Sequence, residues 1–360
     1  MSIGKQLLNG FFRFSLGVEE NKSTELGPVS SILVVRQHNQ LGDLLISTPL
    51  FTALKEKYPH ATISVIVSPA NHKALRKNSL IDNLFVFDKS KLLHLAYFKE
   101  LRALLKSRYD LVIVPSVTSL SFTSNLLARL SNSRVRIGPA SLDGKINSSA
   151  YFFDRRVELD WRERPETHVT QRNIDIVTPF GIGTKNKRLV IDSDLEDETT
   201  SDEFIKFFPG DSSTPLVGIH VGAGKLQNRW DIYNFLKLLE RISNDFNARI
   251  YLTQGGEGDR ELVEIIRANT QINFLVFDLP GMPLLKSLIQ KSDLFISNDT
   301  GPMHVVAATD TPAISLFGPT DPRLWAPLGD NKHYLWKGED INLITVEDVY
   351  TLASQILRAR

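Results

Sequence analysis

Apolar runs rich in β-branched residues alternate along the chain with segments whose apolar positions recur every three or four residues. Strands alternating with amphipathic helices in a parallel sheet produce this pattern. The first run, Ile32 to Arg36, is followed by a helical pattern from about Asp43 to Tyr58. Further strands are predicted at Ile63 to Val67, Leu84 to Phe87, Leu111 to Val114 and Val135 to Ile137, with helical patterns near Leu92 to Lys106 and Leu120 to Leu130. Together they complete one doubly wound α/β domain.

The pattern breaks down between Phe180 and Pro215, where Asp192 to Glu198 is acidic and flanked by Gly181, Gly183, Pro209 and Gly210. That composition reads as a hinge. A second alternating series then runs through Leu216 to His220, Arg249 to Thr253, Asn273 to Phe277, Leu294 to Ser297 and Ala313 to Phe317. The expected organisation is an N-terminal extension (1–30), a first domain (31–180), a linker (181–214), a second domain (215–335) and a C-terminal segment (336–360). The periodic part of that last segment, Val346 to Arg360, is a candidate to pack back on the first domain. Two facing domains of this kind place a cleft at the carboxyl ends of both sheets.

Composition narrows the function. A chain of 360 residues, 42% hydrophobic and 23% charged, is long for one core and suits two. With 42 basic against 41 acidic residues the net charge is +1, so no global field draws the protein onto nucleic acid and an anionic ligand must be held locally. The absence of cysteine removes disulfides, thiolate metal sites and cysteine nucleophiles, and it fits a reducing, cytoplasmic location. Neither a spanning apolar stretch nor a signal peptide is visible. Lys5 to Leu16 mixes two cations with six large apolar residues, which fits either peripheral contact with the inner face of a membrane or a short helix docked on the body.

Candidate chemistry falls in the loops that leave the predicted strands. In the first domain Arg36 to Asp43 joins strand to helix and carries His38, Asn39, Gly42 and Asp43. Asp43 near a helix N-terminus suits an ionised carboxylate that takes a proton from a hydroxyl, although by position alone a simple cap is the favoured role. Gly42 permits a tight turn or close approach of a substrate. His38 is a reserve base. In the second domain Gly222, Ala223, Gly224 and Lys225 form a short glycine-containing loop before Asn228, Arg229 and Trp230. Amides there, with Lys225 or Arg229, suit a pyrophosphate; a plain turn is the other reading. Ser297 to Ala308 packs Asp299, Thr300, Gly301 and His304 between a strand and a helix, which suits either a leaving diphosphate or a well-capped helix.

Three ordered motifs carry a resemblance: Gly42-Asp-Leu-Leu-Ile-Ser-Thr-Pro49, Asn298-Asp-Thr-Gly-Pro-Met-His304 and Leu316-Phe-Gly-Pro-Thr-Asp-Pro322. From about Ile32 to Gly329 the chain resembles the heptosyltransferase-type glycosyltransferases, glycosyltransferase family 9. The resemblance implies a GT-B fold: two Rossmann-like domains across a cleft, an acceptor-binding one at 31–180 and a donor-binding one at 215–335. It also implies a nucleotide-diphosphate-sugar donor (ADP-heptose in the best-known members), a lipopolysaccharide-core or related lipid-linked glycan acceptor, inversion at the anomeric carbon, and neither metal nor other cofactor. By the same resemblance the catalytic base falls on Asp43, the diphosphate grip on Asp299, Thr300 and Gly301 with His304 beside them, the ribose contact on Glu257, and the backbone contact to the base on Met282. The chain departs from the family at Asn228, where a lysine is usual, so Arg229 or Lys225 must supply the cation. The loop Ala70 to Lys77 is a candidate for an anionic acceptor or a solvated helix face.

Three rivals stand beside this reading. Asp192-Ser-Asp194 has the form of a metal-binding pair, although it lies in the acidic linker. A dehydrogenase would share the two-domain architecture, but no Gly-x-Gly-x-x-Gly follows the first strand. A non-catalytic sugar-nucleotide binder, or a transferase using another donor sugar, would keep the second-domain motifs.

Overall fold

The computed structural model describes residues 3–37, 41–70, 72–208, 213–278 and 281–360, with 3–9 and 41 in backbone only. The chain forms two compact units, residues 1–187 and 188–360. In the first, β1 (Ser31–Arg36), β2 (Thr62–Val67), β3 (Asn83–Val86), β4 (Arg108–Ile113), β5 (Asn132–Leu142), β6 (Lys145–Ile146) and β7 (Arg155–Leu159) make one sheet. Its order is β3-β2-β1-β4-β5-β6, with β7 also on β5, and every pairing is parallel except β5 with β6.

The unbroken apolar run of β1 follows from its position. Ile32 and Val34 join one core with Leu50 and Leu54, while Leu33 and Val35 join a second with Leu101, Leu105 and Leu127. Helices cover both faces, so neither set of alternate residues meets water.

The second unit repeats the plan with β8 (Leu216–His220), β9 (Arg249–Gln254), β10 (Phe274–Asp278), β11 (Leu294–Asn298), β12 (Ala313–Phe317) and β13 (Lys332–Trp336), all parallel, in the order β10-β9-β8-β11-β12-β13. Val217 and Ile219 pack on Phe235, Leu238, Leu239 and Ile242 of the helix Ile232–Phe246. Gly218 faces the other way, and a Cβ there would lie 2.3 Å from the Tyr251 hydroxyl and 2.7 Å from the Phe295 ring. Only glycine admits those two aromatics against the sheet.

The structure differs from the sequence expectations in three places. β6, β7 and β13 were not predicted, because β6 is two residues long and the sequences of the others, Arg-Arg-Val-Glu-Leu and Lys-His-Tyr-Leu-Trp, lack a continuous apolar run. The expected linker at 181–214 contains a helix, Leu195–Lys206, whose apolar stripe is thin but whose N-terminus is closed by a capping box between Asp194 and Asp197. It docks on the helix Met282–Gln290 through Ser201 and Ser287, whose hydroxyls lie 2.7 Å apart, and on β10 through Phe204, 4.8 Å from the Phe277 ring. The division between the units therefore falls at Lys187 and Arg188. Lastly, the C-terminal helix Val346–Arg358 belongs to the second unit. Val349, Ala353 and Leu357 complete the core of the second, and Arg241 stacks 3.6 Å over the Tyr350 ring.

Asp194 thus commits one carboxylate oxygen to capping a helix. Asp194→Ala is expected to lower stability by about 0.5–2 kcal/mol in denaturant unfolding, with magnesium leaving the melting temperature of the parent chain unchanged. A magnesium-induced rise that disappears in the variant would restore the metal reading.

Candidate functional site

Neighbouring strands in an open parallel sheet send their connections to opposite faces where the strand order reverses, and a crevice opens there at the carboxyl edge. In the first unit this point lies between β1 and β4, and in the second between β8 and β11. All the predicted donor residues lie on the carboxyl edge of the second sheet. Gly222 to Arg229 follow β8, Glu257 follows β9, Met282 follows β10, and Asp299 to His304 follow β11.

Hydrogen bonds tie several of these loops into one rim. Asn298, the last residue of β11, is fully buried. Its Nδ2 donates to the Val221 carbonyl at 2.8 Å and its Oδ1 accepts from the Trp230 amide at 3.2 Å, so it spans the switch point. Asn228 Nδ2 donates to Asp299 Oδ2 at 2.8 Å, and Arg229 Nε donates to the Ala223 carbonyl at 2.8 Å. A Cβ on Gly222 would sit 1.9 Å from Asp259 Oδ1, and one on Gly258 would touch Arg229 at 3.4 Å, so the β8 loop is pressed against the start of the helix Glu257–Asn269. Glu257 itself is exposed at the head of that helix, and Met282 is half-buried at the head of the next.

Thr300 occupies the N-cap of the helix Gly301–Val306, yet its side chain makes no capping hydrogen bond, whereas Asp231 and Asp321 cap their helices normally. Pro302 has no N–H and the Met303 amide bonds to the Thr300 carbonyl at 3.1 Å, so the amides of Thr300 and Gly301 are the ones left at the helix start for an anion. His304 is 6% exposed with its ring 6.4 Å from that of Trp325, so it serves the packing of the short helix as well as the rim.

The electrostatics are uneven. Burial pushes the Asp299 carboxyl above its ordinary range, opposed by a hydrogen bond with Thr320 and by the charge of Lys225. Lys225 is exposed at the loop tip beside Gly224, so it is the cation coupled to Asp299, while Arg229 spends its Nε on the loop. Asn228 is 5% exposed, and its Oδ1 is buried with no hydrogen-bond partner among the described residues. One floor of the rim is thus a neutral amide where a lysine was expected. Nearby His220 is held below its ordinary range by burial, opposed by Asp259 and by its Nδ1 contact with Thr253.

In the first unit Asp43 is 4% exposed and lies within the helix Leu41–Leu45, two residues past its start. Beside it Arg36, also 4% exposed, donates to the Asp43 carbonyl at 3.2 Å and to the Pro115 carbonyl at 3.4 Å. Burial draws this guanidinium below its ordinary range, and the Asp43 charge opposes the shift. Gly42 is half-buried next to it; His38 and Asn39 lie outside the described residues. In the loop Ala70 to Lys77, Ala74 and Leu75 are buried and Lys73 and Arg76 are exposed. Sequence reasoning missed Arg36 and Asn298 as site-building residues, since their partners become visible only when the strands are adjacent.

Glycosyltransferase family 9 (heptosyltransferase) matches residues 97–350, more than half of the chain. Lipopolysaccharide heptosyltransferase 3 of Escherichia coli is 27% identical over 322 residues, covering 83% of this chain and 86% of its own. Among solved structures, a family 9 glycosyltransferase from Veillonella parvula aligns with a TM-score of 0.78 at 19% identity, over 95% of this chain and 100% of its own. The E. coli ADP-heptose lipopolysaccharide heptosyltransferase II aligns with a TM-score of 0.72 at 21% identity, over 91% and 99%. The two doubly wound units are of the GT-B class, and the chain belongs to glycosyltransferase family 9, the heptosyltransferases.

Proposed function

We propose that this glycosyltransferase moves a heptose from ADP-heptose to a lipopolysaccharide core or related lipid-linked glycan, with inversion and without a metal ion. The observation that carries the reading is the rim on the second sheet, where the loops after β8 and β11 are bound together by Asn298 and Asn228 around the unspent amides at Thr300. Relatives supply the chemistry: an E. coli heptosyltransferase, WaaC, has been solved with ADP, and with ADP-2-deoxy-2-fluoro heptose.

In the proposed reaction an acceptor hydroxyl oxygen attacks the anomeric carbon as the bond from that carbon to the diphosphate breaks. Asp43 takes the hydroxyl proton, and the departing diphosphate keeps the bonding electrons. The amides of Thr300 and Gly301, with Lys225 and Arg229, offset that charge. Glu257 binds the ribose, Met282 meets the base through its backbone, and His304 supports the diphosphate loop. Asn39 and Gly42 border the acceptor. Arg36 is a positioning residue that holds Asp43 against the end of β4. The N-terminal helix Ile3–Leu16 gives peripheral contact with the inner face of the membrane that carries the acceptor. Among the described residues no helix is long and apolar enough to cross a membrane.

Asp43→Asn is expected to lower kcat by ~10² to 10⁴ with donor KM unaltered, in an assay with ADP-heptose and a truncated lipopolysaccharide core; full turnover would remove Asp43 as base. A chelator should leave the parent rate unchanged, and loss with recovery on adding magnesium would make the enzyme metal-dependent.

In thermal shift, ADP at about a hundred times its Kd should stabilise the protein by roughly 2.7 kcal/mol, with UDP, GDP and NAD weaker. Gly222→Ala forces the β8 loop off Asp259 and should abolish most of the ADP shift. Stabilisation by NAD alone would overturn the donor assignment.

A further inference from the structure

Two segments of the first unit expose large apolar side chains at one edge of the sheet. In the helix Ile3–Leu16, Phe14 is 94% exposed and Phe11 63%, while Phe12 packs 5.7 Å from Phe122 and 6.4 Å from Phe152. In the segment from Lys89 to the helix Leu95–Lys106, Leu93 is 98% exposed, Leu95 68% and Phe98 48%. That helix is held to the body by Leu101 and Leu105, which share a core with Leu127 and Ala128 of the helix Phe122–Leu130. The two crossover helices therefore lie on the same face. Each follows a parallel strand, β3 and β4 respectively, so each begins at the carboxyl edge of the sheet. Phe122 is the first residue of its helix and is itself 42% exposed, which places Phe12 beside the same edge.

Charge separates these segments from the rest of the protein. The chain as a whole balances 42 basic against 41 acidic residues. The helix Ile3–Leu16 carries Lys5 and Arg13 and no acidic residue. Lys89 to Lys106 carries Lys89, Lys91, Lys99, Arg102 and Lys106 against Glu100 alone. Phenylalanine and leucine set among lysine and arginine match the layer between headgroups and acyl chains of an anionic bilayer, where apolar tips insert and cations meet phosphate.

We infer that the start of the helix Leu95–Lys106 and the N-terminal helix form one docking surface for an anionic lipid bilayer, along the sheet edge that also bears Asp43. The inference rests on the proposed function and extends it. A lipid-linked acceptor lies in such a surface, and an enzyme seated by this edge meets the acceptor on the side where β1 delivers Gly42 and Asp43. Neither segment alone suffices. One amphipathic stretch gives only reversible attachment, and two that bind together raise the effective concentration of each at the surface.

The test is co-sedimentation of the full chain with vesicles of phosphatidylcholine alone or mixed with phosphatidylglycerol, at low and high salt. Binding is expected only with the anionic lipid and should weaken with salt. Phe14→Glu and Leu93→Glu should each weaken it by roughly tenfold or more, while Leu195→Glu, at an 81% exposed leucine of the second unit, should not. All three positions are exposed, and an unchanged melting temperature verifies the fold of each variant. Equal binding to neutral vesicles, no binding, or equal loss in Leu195→Glu would overturn the inference. So would sedimentation as a dimer that Leu93→Glu dissociates, because a second copy would then cover the patch. Transfer to a water-soluble acceptor fragment should be unchanged in Phe14→Glu and Leu93→Glu, with loss confined to acceptor embedded in vesicles. Vesicle binding without any sugar transfer would defeat the proposed function and leave the docking surface standing.

Discussion

The buried side chain of Asn298 closes the point at which the second sheet divides. β8 and β11 lie side by side, but their connections leave on opposite faces, and without a crosslink the two loops would be free to part. A single amide prevents this by donating to the Val221 carbonyl and accepting from the Trp230 amide. Both groups are buried, so losing the crosslink would leave each polar atom unsatisfied at about 1–3 kcal/mol. The position of the loop after β11, the approach of Asn228 to Asp299 and the seating of Trp230 all depend on it.

The first unit solves the same problem with a different residue. Arg36 ends β1, and its guanidinium reaches the Pro115 carbonyl just beyond β4 and the Asp43 carbonyl on its own side. Its Nε remains buried without a hydrogen-bond partner among the described residues, and burial weakens the hold on its proton. A cation kept in such a place is a costly crosslink unless a negative charge stands nearby, and Asp43 supplies one. The amide in one unit and the guanidinium in the other differ in what they leave behind: an uncharged group between the loops after β8 and β11, and a buried cation whose charge is felt at Asp43 beside the loop after β1.

The fold was legible wherever a strand is covered on both faces, because such strands write themselves as unbroken apolar runs; Ile32 to Val35 is the clearest case. It was illegible at β7 and β13, whose outer residues meet water and whose charged positions interrupt the run. The helix Leu195–Lys206 was hidden for a related reason: its stability comes from a capping box and acidic first turn more than from an apolar stripe. Among site residues, the motif positions were readable in order, but the roles of Asn298 and Arg36 were not. Asn298 bonds to a carbonyl 77 residues away, and no local pattern records that distance.

Asn228 bears on how far the proposed donor site depends on backbone rather than charge. A lysine there would stand against Asp299 as a salt bridge; the amide instead donates one hydrogen bond to Asp299 Oδ2 and leaves that carboxyl pushed up by burial. The nearby cations are an exposed Lys225 and an Arg229 whose Nε is committed to the Ala223 carbonyl, so in the proposed reaction both offset the diphosphate charge from the loop and not from a buried position beneath it. The remaining donors of the proposed site are the amides of Thr300 and Gly301, fixed in direction by the backbone, since Pro302 lacks an N–H and the Met303 amide bonds to the Thr300 carbonyl. Such donors need no reorganisation as negative charge develops, which is the property that favours the departing diphosphate over the bound sugar nucleotide. Asn298 therefore matters to the proposed chemistry as much as to the fold: by holding β11 to the β8 loop it fixes the direction of those amides.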